Sequence, residues 1–134
     1  MPRRKHLRKI VEPPRFKSFK PEGIQKEIQG SVDLLYEEYE ALKLADYDGL
    51  HHHQACEMMG VSRPTFARIY ESARRKIAKA FVELKEITAV YGNVEFDHHW
   101  YRCNKCHAIF TLQRIDKKYT CPVCSAENVE SIIK

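Results

Sequence analysis

The chain has 134 residues, of which 43% are hydrophobic and 31% are charged, so it can form one ordinary globular domain or two small ones. This composition excludes a fibrous or disordered protein, and no apolar run approaches the ~20 residues that a membrane-spanning helix needs. The basic start lacks the apolar segment of a secretory signal, so we expect a cytoplasmic protein with no membrane partner.

The net charge of +5 is unevenly distributed along the chain. Residues 1–22 hold eight Lys or Arg residues and two acidic ones, residues 23–49 hold two against seven, and residues 50–83 hold six against three. Segregation of this kind indicates a polyanionic partner for the basic segments. Pro13, Pro14 and Pro21 exclude a long helix in residues 1–23, so we predict an extended basic arm there. A tail that is merely solvated is the alternative for its first ten residues.

Three helices are predicted between residues 33 and 87. Residues 33–48 place apolar side chains at helical spacing, and Gly49 ends this first helix. Residues 51–59 form a second, shorter helix, after which Gly60 breaks the pattern. Ser62 can cap a third helix and Pro64 is tolerated in its first turn, so helical periodicity continues to about residue 87.

The second and third helices have the pattern of a helix-turn-helix, with the small residues Ala55 and Cys56 upstream of the turn at Gly60. On a helical wheel of 100° per residue, one face of the third helix is apolar, and it comprises Phe66, Ile69, Ala73, Ile77, Ala80 and Leu84. The opposite face carries Arg68, Arg75 and Lys79. One face would pack on the core, and the other would present hydrogen-bond donors to a DNA major groove. The alternative is an ordinary solvated helix face.

The run MGVSRPTFARIYESARRK, residues 59–76, carries a family resemblance together with EALKLADYDGL before it and FKPEGI further upstream. It resembles a family of small bacterial and archaeal proteins, described as DNA-binding, whose helix-turn-helix is similar to region 4 of sigma factors. The resemblance covers about residues 1–85. It implies a four-helix-like DNA-binding domain with Ser62, Arg63, Thr65 and Arg68 facing the groove, and it implies a fold and a ligand class rather than a pathway.

The chain departs from that family pattern at three positions. Leu35 and His51 stand where a capping hydroxyl is usual, which weakens each cap by about 1 kcal/mol. Cys56 stands where Ala is usual, and a buried Cys behaves as a small hydrophobic residue. The histidines at 51–53 point about 100° apart on a helix, so we do not expect them to converge on one metal ion.

The last third of the chain contains two Cys-x-x-Cys pairs, Cys103 with Cys106 and Cys121 with Cys124. In a cytosolic protein this spacing predicts a metal site before it predicts disulfides. Two knuckles supply four thiolates in a closed tetrahedron, which is typical of a structural zinc ribbon. His98, His99 or His107 is an alternative to one of the thiolates.

Two further features of this segment affect the interpretation. Gly usually follows the second Cys of a knuckle because positive φ is needed there, but this chain has His107 and Ser125. The segment also resembles the rubredoxin-like module of rubrerythrins, which implies iron and electron transfer as the alternative to zinc. No Glu-x-x-His helices accompany it, so structural zinc is preferred.

These observations predict a mainly α protein, with a sigma region-4-like helix-turn-helix domain and a small β zinc ribbon. The predicted divisions are a basic arm at 1–23, the helix-turn-helix domain at 24–88, a linker at 89–96 and the ribbon at 97–134. We expect a transcriptional regulator that binds double-stranded DNA sequence-specifically, and no enzyme. The alternatives are an iron redox protein and an adaptor that binds RNA polymerase or another regulator. The oligomeric state is left open.

Overall fold

A computed structural model describes residues 7–96, 99–111 and 120–132 of the chain. Its described residues divide into two compact units. The first comprises residues 7–10 and 16–95, and the second comprises residues 11–15 and the described residues from 96 onward. Within the described ranges, every helix is too short or too polar to span a bilayer.

The first unit has three short strands, then its helices, then two more short strands. Its elements in chain order are β1 (Arg8–Lys9), β2 (Ser18–Phe19), β3 (Ser31–Leu35), α1 (Tyr36–Leu42), a π-helical continuation of α1 (Lys43–Tyr47), α2 (His52–Met59), α3 (Arg63–Glu83), β4 (Glu86–Val90) and β5 (Val94–Glu95). Strand β4 lies between β2, to which it is antiparallel, and β3, to which it is parallel from Ser31↔Glu86 to Leu35↔Val90. Strand β1 pairs in parallel with β5.

The core of this unit forms where the β3–β4 pair packs against α3. Val32 and Leu34 project from one side of β3 and Ile87 projects from β4, and all three are buried. Ala73 and Ala80 of α3 meet them, and their small side chains allow the helix to approach the sheet closely. The buried face of α3 is therefore fixed by contacts with β3, which is distant in sequence, and with β4, which follows the helix directly.

The N-terminal turn of α1 carries buried carboxylates that hold neighbouring elements. Glu38, 3% exposed, accepts hydrogen bonds from the Leu35 N–H at 2.8 Å and from the Lys76 ammonium of α3 at 2.7 Å. The first bond is the half of a capping box that Glu38 can supply, since Leu35 has no side-chain oxygen to accept the reciprocal bond. Glu37 accepts from the Asn93 N–H at 3.0 Å and lies against Gly92, where a Cβ atom would collide with its carboxylate.

The second unit contains a small antiparallel sheet. Its strands are β6 (Trp100–Cys103), β7 (Ile109–Thr111) and β8 (Val129–Ser131), with β6 in the centre. Cys103, Phe110 and Cys121 are buried in its core, and Tyr101, Ala108 and Val129 pack around them. The thiols are therefore part of the packing and also the candidate ligands.

The predicted mainly α class is wrong, because the structure is α+β. About 35% of it is helical and 22% is strand, in three small sheets. Residues 31–35 form a strand where the first helix was expected to begin, and α3 ends at Glu83 instead of about residue 87. Leu84 takes a left-handed conformation with φ 56° and ends α3, after which the chain enters β4.

Candidate metal centre and candidate nucleic-acid interface

The four cysteines of the two Cys-x-x-Cys pairs converge. The Sγ atoms of Cys103, Cys106, Cys121 and Cys124 all lie within 4.8 Å of one another. The Cys103–Cys124 and Cys106–Cys121 sulfur pairs are 3.6 and 3.5 Å apart. A tetrahedral zinc with Zn–S bonds of about 2.3 Å places its sulfurs about 3.8 Å apart, so these four thiols fit such an ion.

The two knuckles have matching backbone geometry. The His107 N–H donates to the Cys103 carbonyl at 2.9 Å, and the Ser125 N–H donates to the Cys121 carbonyl at 2.9 Å. His107 and Ser125 have φ values of 65° and 63°, so both adopt the positive φ that Gly usually supplies at this position. A non-Gly residue is sterically strained in this conformation. We attribute the positive φ of His107 and Ser125 to the hydrogen-bonded turn that closes each knuckle.

Backbone N–H groups also point at the sulfurs. The Cys103 Sγ atom accepts from the N–H groups of Lys105 at 3.3 Å and Cys106 at 3.4 Å. The Cys121 Sγ atom accepts from the Val123 N–H at 3.4 Å. Donors aimed at a sulfur stabilise its thiolate form, which is the form that ligates a metal.

These contacts set the acidity of the thiols. The hydrogen bond from the Cys106 N–H is the main cause that lowers the pKa of Cys103, to about 6. For Cys106 the Ala108 N–H acts to lower the pKa, but desolvation and the bonds to neighbouring thiols raise it to about 12. Desolvation acts to raise the pKa of Cys121, but the Cys124 and Val123 N–H groups and the bonds to the Cys106 and Cys124 thiols together lower it. A divalent cation would displace the protons that remain on such a cluster.

The other candidate ligands lie elsewhere or outside the described residues. Among the residues that the structure describes, the group close enough to share an ion contains the four cysteines and no histidine. His98 lies outside the described residues. Cys56 is buried in α2, where its thiol donates to the His53 carbonyl at 3.2 Å.

The three consecutive histidines face different surroundings. The His51 N–H donates to the Gln54 side chain at 3.2 Å. The His52 ring packs edge-on against Phe66 and Tyr70, and the His53 ring lies 3.5 Å from the Glu57 carboxylate. This divergence is the arrangement expected of consecutive helical residues.

The turn between α2 and α3 has well-defined caps. Gly60 ends α2 with φ 66°, and its N–H bonds back to the Cys56 and Glu57 carbonyls. Ser62 is the N-cap of α3: its Oγ accepts from the Thr65 N–H at 3.3 Å and donates to the Thr65 hydroxyl at 2.8 Å. Pro64 lies within the first turn, as the sequence predicted. The N-terminus of α3 is therefore capped by the Ser62 side chain.

The two faces of α3 differ in burial. Phe66, Ala73 and Ala80 are buried and Ile69 and Ile77 are half-buried, but Leu84 is 47% exposed because it follows the end of the helix. The predicted cations of α3 are all exposed: Arg63 in its first turn, and Arg68, Arg75 and Lys79 on the side opposite Phe66. The apolar face expected from the helical wheel is thus present without its last residue.

The exposed arginines of α3 contact neighbouring side chains of the same helix. Arg68 lies 3.4 Å from the Thr65 hydroxyl, and Arg75 forms an ion pair with Glu71 at 2.9 Å. Arg74, which was not among the predicted site residues, lies over the Tyr70 ring with its Cζ 5.3 Å from the centroid. Arg74 lies 80° from Phe66 on the wheel, so its basic charge extends the cationic surface beyond the predicted stripe.

Tertiary contacts hold α3 in place. The Lys76 ammonium donates to Glu38 and to the Asp33 carbonyl, each at 2.7 Å, and the Ser72 hydroxyl donates to Glu38 at 2.5 Å. Tyr70 donates to Asp46 at 2.5 Å, a bond that raises the pKa of Tyr70. Sequence reasoning missed these anchors, because their partners are 24 to 43 residues apart.

Comparison with known proteins identifies the chain's relatives. Residues 1–97 match the family described as protein of unknown function DUF134. A UPF0251 protein of Chloroherpeton thalassium is 40% identical over 132 residues, which cover 98% of this chain and 87% of that protein. A UPF0251 protein of Methanothermobacter thermautotrophicus is 38% identical over 133 residues, covering 98% and 68%. No solved structure matches. The chain belongs to the DUF134/UPF0251 family.

Proposed function

We propose that this protein binds double-stranded DNA sequence-specifically through α2 and α3 and acts as a cytoplasmic transcriptional regulator, with a binding rather than a catalytic role. The observation that carries the proposal is the polarity of α3. Its apolar face is buried against the β3–β4 pair and α1, and its opposite face carries exposed arginines and a lysine.

The dimensions of α3 suit a major groove. Its 21 residues give a helix about 31 Å long, and an α-helix fits the groove width of about 12 Å. Ser62, Arg63 and Thr65 stand at its N-terminal end, where hydroxyl and guanidinium groups can reach base edges or phosphates. Arg68 follows about one turn later, and a guanidinium there can bond both acceptors of a guanine.

A DNA-recognition helix also has to be held rigidly. The bonds from Lys76 and Ser72 to Glu38, and from Tyr70 to Asp46, anchor α3 to α1 and its continuation. This arrangement supports the proposal because none of these three bonds uses Arg68, Arg75 or Lys79. Precise orientation of a few side chains is what sequence discrimination requires.

For the four-cysteine site we propose structural zinc, with iron as the alternative that the same thiolates accept. The small sheet around it buries few large apolar side chains, so metal binding would supply much of its folding free energy. Thiolates at all four positions leave no open site for a substrate, which supports a structural rather than a catalytic metal.

The experiment is a fluorescence-anisotropy titration of the full chain with a mixed-sequence DNA duplex at several salt concentrations. We expect binding that weakens linearly in logarithmic plots as salt rises, and a large loss in the double variant Arg68→Ala/Arg75→Ala. The control is Lys26→Ala/Lys105→Ala, which removes the same charge from exposed positions outside α3 and outside the predicted basic arm.

Two outcomes would count against the proposal. If the wild type does not bind the duplex at moderate salt, an adaptor that binds RNA polymerase or another regulator becomes the better account. If the control variant loses as much affinity as the α3 variant, binding depends on overall charge and not on this helix.

A further inference from the structure

Strand β1 fixes one lysine of the basic arm. The Arg8 N–H donates to the Asn93 carbonyl at 2.8 Å, and the Ile10 N–H donates to the Glu95 carbonyl at 3.2 Å. Ile10 and Val94 are buried beside this pairing, at 5% and 2% exposure. The backbone of Lys9 is therefore held between two hydrogen-bonded residues, and its side chain is exposed.

That side chain lies across the turn between α2 and α3. A Cβ atom placed on Gly60 would lie 3.6 Å from Lys9 Cδ, 3.7 Å from Cγ and 3.9 Å from Cε. Three successive carbons at similar distances mean that the aliphatic stem runs along the turn. Long cationic side chains commonly cover a surface with the stem while the charge stays in water, so the Lys9 ammonium emerges beside the turn.

The turn adjoins the end of α3 that we place in the groove. Gly60 precedes the N-cap Ser62 by two residues, so their Cα atoms are at most about 8 Å apart. A groove about 12 Å wide is bordered by phosphates on both strands. A cation beside the start of a helix in that groove therefore lies within reach of a bordering phosphate.

We propose that Lys9 is a DNA-backbone contact, held on the α2–α3 turn by the β1–β5 pairing. The inference rests on the proposed function and extends it, because it makes a strand distant in sequence part of the same interface. A phosphate contact carries no sequence information, so Lys9 would set the position and affinity of the complex and not its preferred sequence.

The test is Lys9→Met in the full chain, because Met keeps an unbranched stem over Gly60 and removes the charge. We expect weaker binding to a mixed-sequence duplex by severalfold and a salt-dependence slope lower by about 0.9, the value for one phosphate. Lys9→Arg should keep the slope. The matched control is Lys26→Met, at an exposed lysine between β2 and β3 and outside the predicted basic arm, and it should leave the slope unchanged.

Each other result overturns the inference. An unchanged slope in Lys9→Met contradicts it while leaving the proposed function intact, provided that the wild type binds. Equal losses in Lys9→Met and Lys26→Met, or a loss in Lys9→Arg as large as in Lys9→Met, also contradict it. Absence of duplex binding by the wild type removes the proposed function and this inference together.

Discussion

Arg75 and Lys76 are adjacent basic residues on α3 with different surroundings. Arg75 pairs with Glu71 on the surface, where the two side chains are 80% and 63% exposed. Lys76 pairs with Glu38, whose side chain is only 4% exposed, and also bonds the Asp33 carbonyl. The first cation is available to a ligand, whereas the second joins α3 to α1 and β3.

Replacing each residue by Met separates these two roles. Lys76→Met leaves the buried Glu38 carboxylate without its cation, so we expect a loss of about 2–3 kcal/mol in the free energy of unfolding. This lies below the usual 3–5 kcal/mol for a fully buried pair, because Lys76 is 31% exposed. Arg75→Met should change it by less than about 0.5 kcal/mol. Urea unfolding followed by circular dichroism measures both, and equal effects would show that Lys76 is not an anchor.

At the scale of secondary-structure elements, the sequence predicts those that are marked by a few residues close together in the chain. Gly60, Ser62 and Pro64 mark the α2–α3 turn within five residues, and the structure has the caps that they indicate. The knuckles are equally local, because each Cys-x-x-Cys spacing fixes the geometry of one turn. His107 and Ser125 show that the backbone conformation is adopted even without Gly.

The strands have no comparable local signal. Ser31–Leu35 pairs with Glu86–Val90 across more than fifty residues, and neither strand forms without the other. Val32 and Leu34 alternate with exposed residues, but Leu34 and Leu35 also continue the helical spacing of α1, so the helix was extended too far back. Strands of two residues such as β1 and β2 are too short to produce a pattern. The mainly α prediction failed for these reasons.

The ribbon is an element whose stability we expect to depend on its metal. Cys121→Ser should lose the metal and unfold the second unit while the helical circular dichroism stays largely intact, because the helices belong to the first unit. Metal content by elemental analysis should fall from about one zinc per chain to none. Cys56→Ala is the control and should retain the zinc, since Cys56 bonds the His53 carbonyl in α2.

Two results would contradict this account of the ribbon. Stoichiometric iron with visible absorbance in the purified wild type would replace structural zinc by the redox alternative. Retention of one zinc per chain in Cys121→Ser would mean that the four-thiolate assignment is wrong.

At the scale of the whole molecule, folding buries part of the acidic segment and leaves many of the basic residues exposed. The acidic segment 23–49 includes Glu37, Glu38 and Glu40, which are all buried at 2–3% exposure in α1. Because they are buried, these three carboxylates do not contribute to an anionic outer surface. Lys9 and the α3 residues Arg63, Arg68, Arg74, Arg75 and Lys79 remain exposed and are available to a polyanion.

The most direct measurement is selection of bound sequences from random double-stranded DNA by the full chain, repeated with Arg68→Ala and Arg75→Ala. We predict that the wild type enriches one motif, that Arg68→Ala broadens it at one base pair at a cost of about 1–3 kcal/mol, and that Arg75→Ala keeps the motif with weaker binding overall. No enriched motif with the wild type, or an unchanged motif with Arg68→Ala, would contradict sequence reading by α3.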